Sequence, residues 1–439
     1  MIVRKLGCLV GLSTVALLAC GTTSELDADF APTQVEGAVL PVMAPPGSSA
    51  WSYSEPRLEY RGNRRGSAVA VDRQGNSYVL AAFDPGEDFK ISLLSFDPSG
   101  QQRWRRDFPA RLDGEFDVTT DLWGNVLIAG SADPSLDLGG GPLGTRAFVA
   151  KFSSAGSLLW QKPLCDSATV SAVTTDAYGS VWFGGSVTKG CNIGGGPLWE
   201  VNDRAQGFIA KFDALGEYVF SRAIGGKGDL VVVNDLAVTA DNGVVVVGGR
   251  YVFSESEYIR PFISKFASNG PHRWFREYPE AYGDFWDVDV DQDQIVVVGT
   301  YSLDFVFKGV SYPATSIFGT GLVVTYTSAG SETWLRRLGG WVYSVSARAG
   351  QVAVLASVGS RDQPLPFPEQ VDVSGNSGVL GLYQANGTPI RARGIGRYHQ
   401  SGWDVALSPI GVATVTGNED NVPDPTGSTA TLNVFGLVP

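Results

Sequence analysis

The chain has 439 residues, of which 44% are hydrophobic and only 18% charged, and its formal net charge is −12. That balance is globular rather than disordered, and the absence of any dense Lys/Arg tract excludes the concentrated basic surface that nucleic-acid binding needs. Fifty-five glycines and 24 prolines favour short strands joined by many turns over long helices.

Residues 1–20, MIVRKLGCLVGLSTVALLAC, read as an export signal peptide. Arg4 and Lys5 form a charged start, and Leu6 to Leu18 form an apolar core too short for a stable transmembrane helix. The end of this stretch, Leu17-Leu18-Ala19-Cys20 before Gly21, resembles the lipobox of bacterial lipoproteins, with Leu18 where Ala or Ser is more usual. The resemblance implies cleavage before Cys20 and diacylglyceryl attachment to it. The protein is then expected at the bacterial cell envelope, lipid-anchored at the outer membrane or cell surface rather than the inner membrane. Residues 21–50 carry no sustained period and are interrupted by Pro32, Pro41, Pro45 and Pro46. They read as a flexible tether with a reach of roughly 30 Å.

From residue 51 to 439 the chain reads as one domain built on a repeat. A first phrase starts seven times: AVAVD at Ala68, DVTTD at Asp117, AVTTD at Ala172, DLAVT at Asp235, DVDVD at Asp287, SVSAR at Ser344 and DVALS at Asp404. Apolar residues at its second and fourth places, such as Val288 and Val290, give the period of a strand. A Gly- or Asn-bearing turn and a second apolar run follow. A second phrase comes later in each unit, as in RAFVAKFSSAGSLLWQKPL from Arg146 to Leu164. It predicts a third strand, a glycine turn and a fourth strand. Four places after the glycine stands Trp104, Trp160, Phe220, Trp274 or Trp334, and Arg391 in the sixth copy.

Four antiparallel strands in each of seven units predict an all-β fold, a seven-bladed β-propeller. The seventh unit stops at TATLNVFGLVP, its third strand, while an orphan WSYSEPRLEYRG precedes the first unit. The orphan resembles a fourth strand. Added to the C-terminal blade as its outer strand, it would close the ring and remove an exposed sheet edge. The opening strands would then line the axial channel.

The repeats resemble the SBBP-type β-propeller repeats found in surface lipoproteins of myxobacterium-like organisms. The resemblance covers nearly everything from Trp51 to Pro439 and is eroded in the last two units. It implies the fold and an envelope location; it carries no catalytic residues to transfer.

Loss of the signal removes Cys8, and acylation occupies Cys20, leaving Cys165 and Cys191. Exported cysteines pair, so a Cys165–Cys191 disulfide is expected. The recurring glycine and aromatic read as turn and inter-blade wedge, and Lys151, Lys211 and Lys265 as solvated or ion-paired strand positions. GGGPLG at Gly139 matches a dinucleotide fingerprint only formally, since no helix follows. Asp117, Asp235, Asp287 and Asp404 share the first place of the opening strand. They either cap strands and turns or form an incomplete acidic ring, a candidate weak cation site for calcium. Gln292 and Val298 stand where an EF-hand needs Gly and Glu.

No G-x-S-x-G or H-E-x-x-H occurs, and His272 and His399 read as surface residues. The function expected is a non-enzymatic binding or interaction scaffold, monomeric and without cofactor, serving a protein or glycan partner. The alternatives are an envelope enzyme acting on polysaccharide through paired carboxylates and a purely structural envelope component. The loops from Phe253 to Pro261, Asp304 to Phe318, Ser360 to Ser377 and Glu419 to Ser428 are the expected specific surface.

Overall fold

The computed structural model describes residues 49–56, 67–83, 89–188, 190–198, 205–226, 229–252, 258–316, 319–358, 377–397, 404–408, 412–417 and 429–435. The signal, Cys20, nearly all of the tether, His399 and the loop 419–428 lie outside them. The protein is an all-β propeller of four-stranded antiparallel blades. Five blades are each made of four consecutive strands and a sixth of four strands interrupted by a hairpin. In chain order they are blade 1 (67–108), blade 2 (112–163), blade 3 (168–224), blade 4 (229–277), blade 5 (283–339) and blade 6 (341–397). Blade 2 is typical, with Leu112–Thr120, Val126–Ala132, Ala147–Phe152 and Leu158–Pro163 in that order. Blade 5 inserts a small hairpin, Asp304–Phe307 with Val310–Pro313, between its second and third strands.

A further four-stranded sheet is composite. Asp404–Leu407, Val412–Gly417 and Thr429–Phe435 supply three strands, and Ser49–Pro56 lies outside Thr429–Phe435 as the fourth. The register of that added strand repeats the register of the ordinary fourth strands. In blade 1, Gln102 faces Phe96 and Trp104 faces Ser95, so two steps on one strand match one on the other. Blades 2, 3 and 4 repeat this bulge, with Trp160 opposite Lys151, Phe220 opposite Lys211 and Trp274 opposite Lys265. Between Ser49 and Trp51 the composite sheet has the same bulge, with Ser49 opposite Phe435 and Trp51 opposite Val434.

The first strand of a blade is bulged as well, with register breaks at Val170/Ala172, Val233/Asp235, Phe285/Asp287 and Val342/Ser344. In blades 3 to 5 the bulge pushes the backbone against the second strand. A Cβ at Gly185, Gly248 or Gly299 would lie within 2.3 Å of a carbonyl oxygen there. The run VVVVGG therefore ends in glycine because no side chain fits. Between blades much of the core is apolar. Leu80, Leu93, Phe116, Ile128, Phe148 and Phe152 pack between blades 1 and 2.

Candidate functional site

The opening strands of all seven sheets line one axial cavity of about 400 Å³. Asp117, Asp235, Asp287 and Asp404 all reach its wall. Each carboxylate accepts a hydrogen bond from the backbone of the next sheet. Asp117 Oδ2 accepts from Val173 N at 2.8 Å, Asp235 Oδ2 from Val288 N at 2.8 Å, and Asp287 Oδ2 from Val345 N at 2.9 Å. Asp404 Oδ2 accepts from Val69 N at 2.9 Å, which ties the composite sheet to blade 1. Blade 6 has Ser344 in place of Asp. Its Oγ accepts from Val405 N at 3.2 Å and donates to Asp404 Oδ1 at 2.7 Å.

The four aspartates are thus latches from sheet to sheet. A bulged strand leaves N–H groups facing its neighbour, and a buried N–H needs an acceptor. Among the described residues, no three His, Cys, Asp or Glu side chains converge as a metal site. The four carboxylates gather at the axial cavity, and each accepts a backbone N–H of the next sheet rather than one of its own turn.

The DVDVD strand extends the device. Asp289 Oδ2 accepts from Ala347 N at 2.7 Å and Ser346 Oγ at 3.0 Å, and Asp291 Oδ2 from Gly350 N at 2.6 Å. Alternation places the carboxylates of Asp287, Asp289 and Asp291 on one face, and all three reach blade 6. Burial pushes the Asp289 carboxyl up to about 6, against the pull of its backbone donors. Asp284, near the start of the same strand, is buried with Oδ1 unpartnered, and desolvation holds its carboxyl well above the usual range. Its role was not legible beforehand, since nothing in GDFWD distinguishes an inward carboxylate from an outward one.

Away from the axis, the repeated phrase forms a second latch. The aromatic of each fourth strand lies on the turn glycine of the next blade. A Cβ at Gly156, Gly216, Gly330 or Gly387 would come within 2.9 Å of the ring of Trp104, Trp160, Trp274 or Trp334. Four indole Nε1 atoms donate to a carbonyl of that same turn: Ser154 and Ala214 at 2.9 and 3.3 Å, Ser328 and Ala385 at 3.1 and 2.7 Å. Phe220 takes the same place against Gly270 without a hydrogen bond.

The repeated lysines are buried and ion-paired, and in two of the three pairs the aspartate is buried as well, whereas Asp241 is exposed. Lys151 Nζ lies 2.9 Å from Asp121 Oδ2, with their side chains 5% and 0% exposed, and Lys211 Nζ lies 2.8 Å from Asp176 Oδ2. Lys265 pairs with Asp241 at 3.0 Å and donates to Ser328 Oγ at 2.7 Å in the next blade. Asp121 also accepts from the amides of Trp123 and Asn125, each at 2.9 Å, so D-x-x-G-N is a turn locked by its own aspartate.

The loops between second and third strands are partly structural. GGGPLG closes on Asp137, whose Oδ1 accepts from Gly139 N and Gly141 N, and Gln161 of the fourth strand donates to Gly141 O at 2.8 Å. In the loop 304–318, Phe305 and Phe307 are buried and Lys308 N donates to Glu332, so the described part of it packs down on its blade. Its tip stays exposed around Lys308 to Ser311. Cys165 and Cys191 are disulfide-bonded, with their Cα atoms 5.7 Å apart. His272 is exposed and edges the Phe266 ring.

No family model matches the chain, and no curated protein matches it. Solved structures do. The polysaccharide lyase Uly1 aligns at 9% identity over 88% of this chain and 93% of its own, with a TM-score of 0.56. A chain of the mitotic checkpoint complex aligns at 10% identity over 96% of this chain and 100% of its own, with a TM-score of 0.51. The β-propeller domain of the trilobed protease from Pyrococcus furiosus aligns at 8% identity over 84% and 90%, with a TM-score of 0.45. At such identities the likeness is one of fold alone, and the propeller itself is read from the four-stranded antiparallel blades of this chain.

Proposed function

We propose that the chain is a seven-bladed ring, lipid-anchored through Cys20 at the bacterial cell envelope, that serves as a non-enzymatic binding scaffold. The composite sheet is the seventh blade and closes the ring. Its register supports this, as does the latch from Asp404 to Val69, which repeats the relation of Asp117 to Val173. The resemblance to SBBP repeats supports the envelope setting.

The observation that carries the scaffold reading is the use to which the recurring polar residues are put. Asp117, Asp235, Asp287, Asp404, Lys151 and Lys211 all bind the protein to itself. What is left to meet a partner is the set of turns and loops that do not repeat. A glycan array and an envelope pull-down test the reading, using wild type and variants in those turns. Retention of a defined glycan or protein that the turn variants lose supports it. Turnover of a polysaccharide, abolished by a single carboxylate substitution, would replace it with the enzyme reading.

A further inference from the structure

Three neighbouring turns depart from the repeat in the same direction. In the turn between first and second strands, blade 2 carries Trp123 and blade 3 carries Tyr178, where blades 1 and 4 have Gln74 and Asp241. Trp123 is 62% exposed and Tyr178 72%. In the turn between third and fourth strands, blade 3 carries Leu215, 75% exposed, where blades 1, 4 and 6 have Ser99, Asn269 and Asn386. The three turns touch. A Cβ at Gly179, next to Tyr178, would lie 2.5 Å from the Trp123 ring and 3.6 Å from Cβ of Ala214, next to Leu215. Leu122, also exposed, extends the patch. Scattered exposed apolar residues need no explanation, but a contiguous set at turn tips, where the repeat otherwise uses small or polar residues, does.

In a four-stranded antiparallel meander, the first and third turns lie at one end of the blade, and the fourth strand begins at that end. Ser49 begins the fourth strand of the composite sheet and pairs with Phe435 as Gln102 pairs with Phe96. Ser49 therefore lies at the end of its sheet that corresponds to the turns of Trp123, Tyr178 and Leu215, and a tether from Cys20 would enter there. A lipid anchor attached there brings that face toward the bilayer, within a tether reach of roughly 30 Å.

We infer that the turn face of blades 2 and 3 rests on the lipid bilayer, with Trp123, Tyr178 and Leu215 entering the boundary between headgroups and acyl chains. Indole and phenol rings favour that depth because one end is apolar and the other can hydrogen-bond. The anchor alone fixes attachment and leaves orientation free; a second, weaker contact fixes orientation and points the loops of the opposite face away from the membrane. With a net charge of −12 the chain gains nothing from anionic lipid, so the contact is apolar and suits zwitterionic headgroups. The inference rests on the proposed anchoring at Cys20.

The test reconstitutes the full-length protein, isolated from membranes, into phosphatidylcholine vesicles with and without brominated acyl chains. Flotation and the mass of the Cys20 peptide read the anchor; tryptophan quenching reads the patch. Wild type should float, and bromolipid should quench about a tenth of its emission, as expected for one of 11 tryptophans at the interface. Trp123→Phe, which keeps the packing on Gly179, should float equally and lose that quenching. A Tyr178→Ser/Leu215→Ser pair should float and lose at least half of it. Protein that floats with equal quenching in wild type and Trp123→Phe overturns the patch and leaves the anchor standing. Protein that does not float, with an unmodified Cys20 peptide, overturns both. A dimer in detergent that the serine pair dissociates would assign the patch to a second copy of the chain and overturn the lipid contact.

Discussion

Replacing Lys151 by Met gives the sharpest measure of how the repeat is stabilised. Methionine keeps most of the apolar stem but removes the ammonium 2.9 Å from Asp121 Oδ2 and its longer contact of 3.5 Å with Ala214 O in the next blade. Asp121 remains fully buried, and its Oδ2 keeps only Asn125 Nδ2 at 2.8 Å, while Oδ1 keeps two backbone amides. Breaking a buried pair from one side costs about 3–5 kcal/mol, because the remaining charge has lost its compensation. Asp121→Asn in the same background restores a neutral group that still accepts both amides. The double variant should therefore recover at least half of the loss, giving a coupling energy of about 2 kcal/mol or more. The assay is urea unfolding followed by tryptophan fluorescence, run as a double-mutant cycle. A Lys151→Met loss below about 1 kcal/mol, or strictly additive single effects, would place the pair with weak surface bridges and contradict a stabilising buried pair.

Asp289 has a folded carboxyl pushed up to about 6, above its unfolded value, so the folded state binds the proton more tightly. Its contribution favours folding at low pH and is lost as pH rises through about 6. The stability of wild type relative to Asp289→Asn should accordingly rise when urea unfolding is repeated at pH 4.5 instead of pH 7.5; a difference that stays flat or changes the other way contradicts the burial argument. Removing the Cys165–Cys191 bridge, whose residues are 26 apart, should cost about 3.5 kcal/mol by loop entropy, read as the shift between oxidised protein and a double serine variant. Gly156 has φ 77° and a Cβ there would lie 2.8 Å from the Trp104 ring, so Gly156→Ala should destabilise by about 2 kcal/mol or more, seen as a lower urea midpoint. The same change at Gly141, φ 96° with open space around it, should cost only the backbone term of about 1 kcal/mol.

The blade plan was legible because its causes are local. Alternation in DVDVD, the glycine of AKFSSAGSLLW and the aromatic four places later each follow from strand period, turn geometry and wedge filling. The lysines were less legible. AKF reads as a polar residue in an apolar strand, and only the fold brings Lys151 over Asp121, some thirty residues earlier in the chain. Blade 1 shows how non-local the requirement is. There Ser95 replaces the lysine, and Arg103 of the fourth strand reaches in to Tyr78, whose hydroxyl donates to Asp72.

The backbone partners of the aspartates were illegible for the same reason. Asp117 and Asp404 look like a ring because they repeat, but their partners, Val173 N and Val69 N, lie 56 and 335 residues away. No one-dimensional pattern encodes a backbone donor. The exposed turns were legible only as exceptions, since Trp123 and Tyr178 resemble the wedge aromatics in type and differ from them in position.

In the proposed closed ring, Ser49–Pro56 completes a seventh blade. Ser52 and Asn433 are register partners across that sheet, so cysteines at the two positions fall within disulfide reach if the pairing is real. Mass spectrometry of the full-length Ser52→Cys/Asn433→Cys protein after mild oxidation decides it. One additional intramolecular disulfide joining peptides 52 and 433 is expected, together with a higher melting temperature. Two free thiols, or a bridge formed only between molecules, would contradict the closed ring.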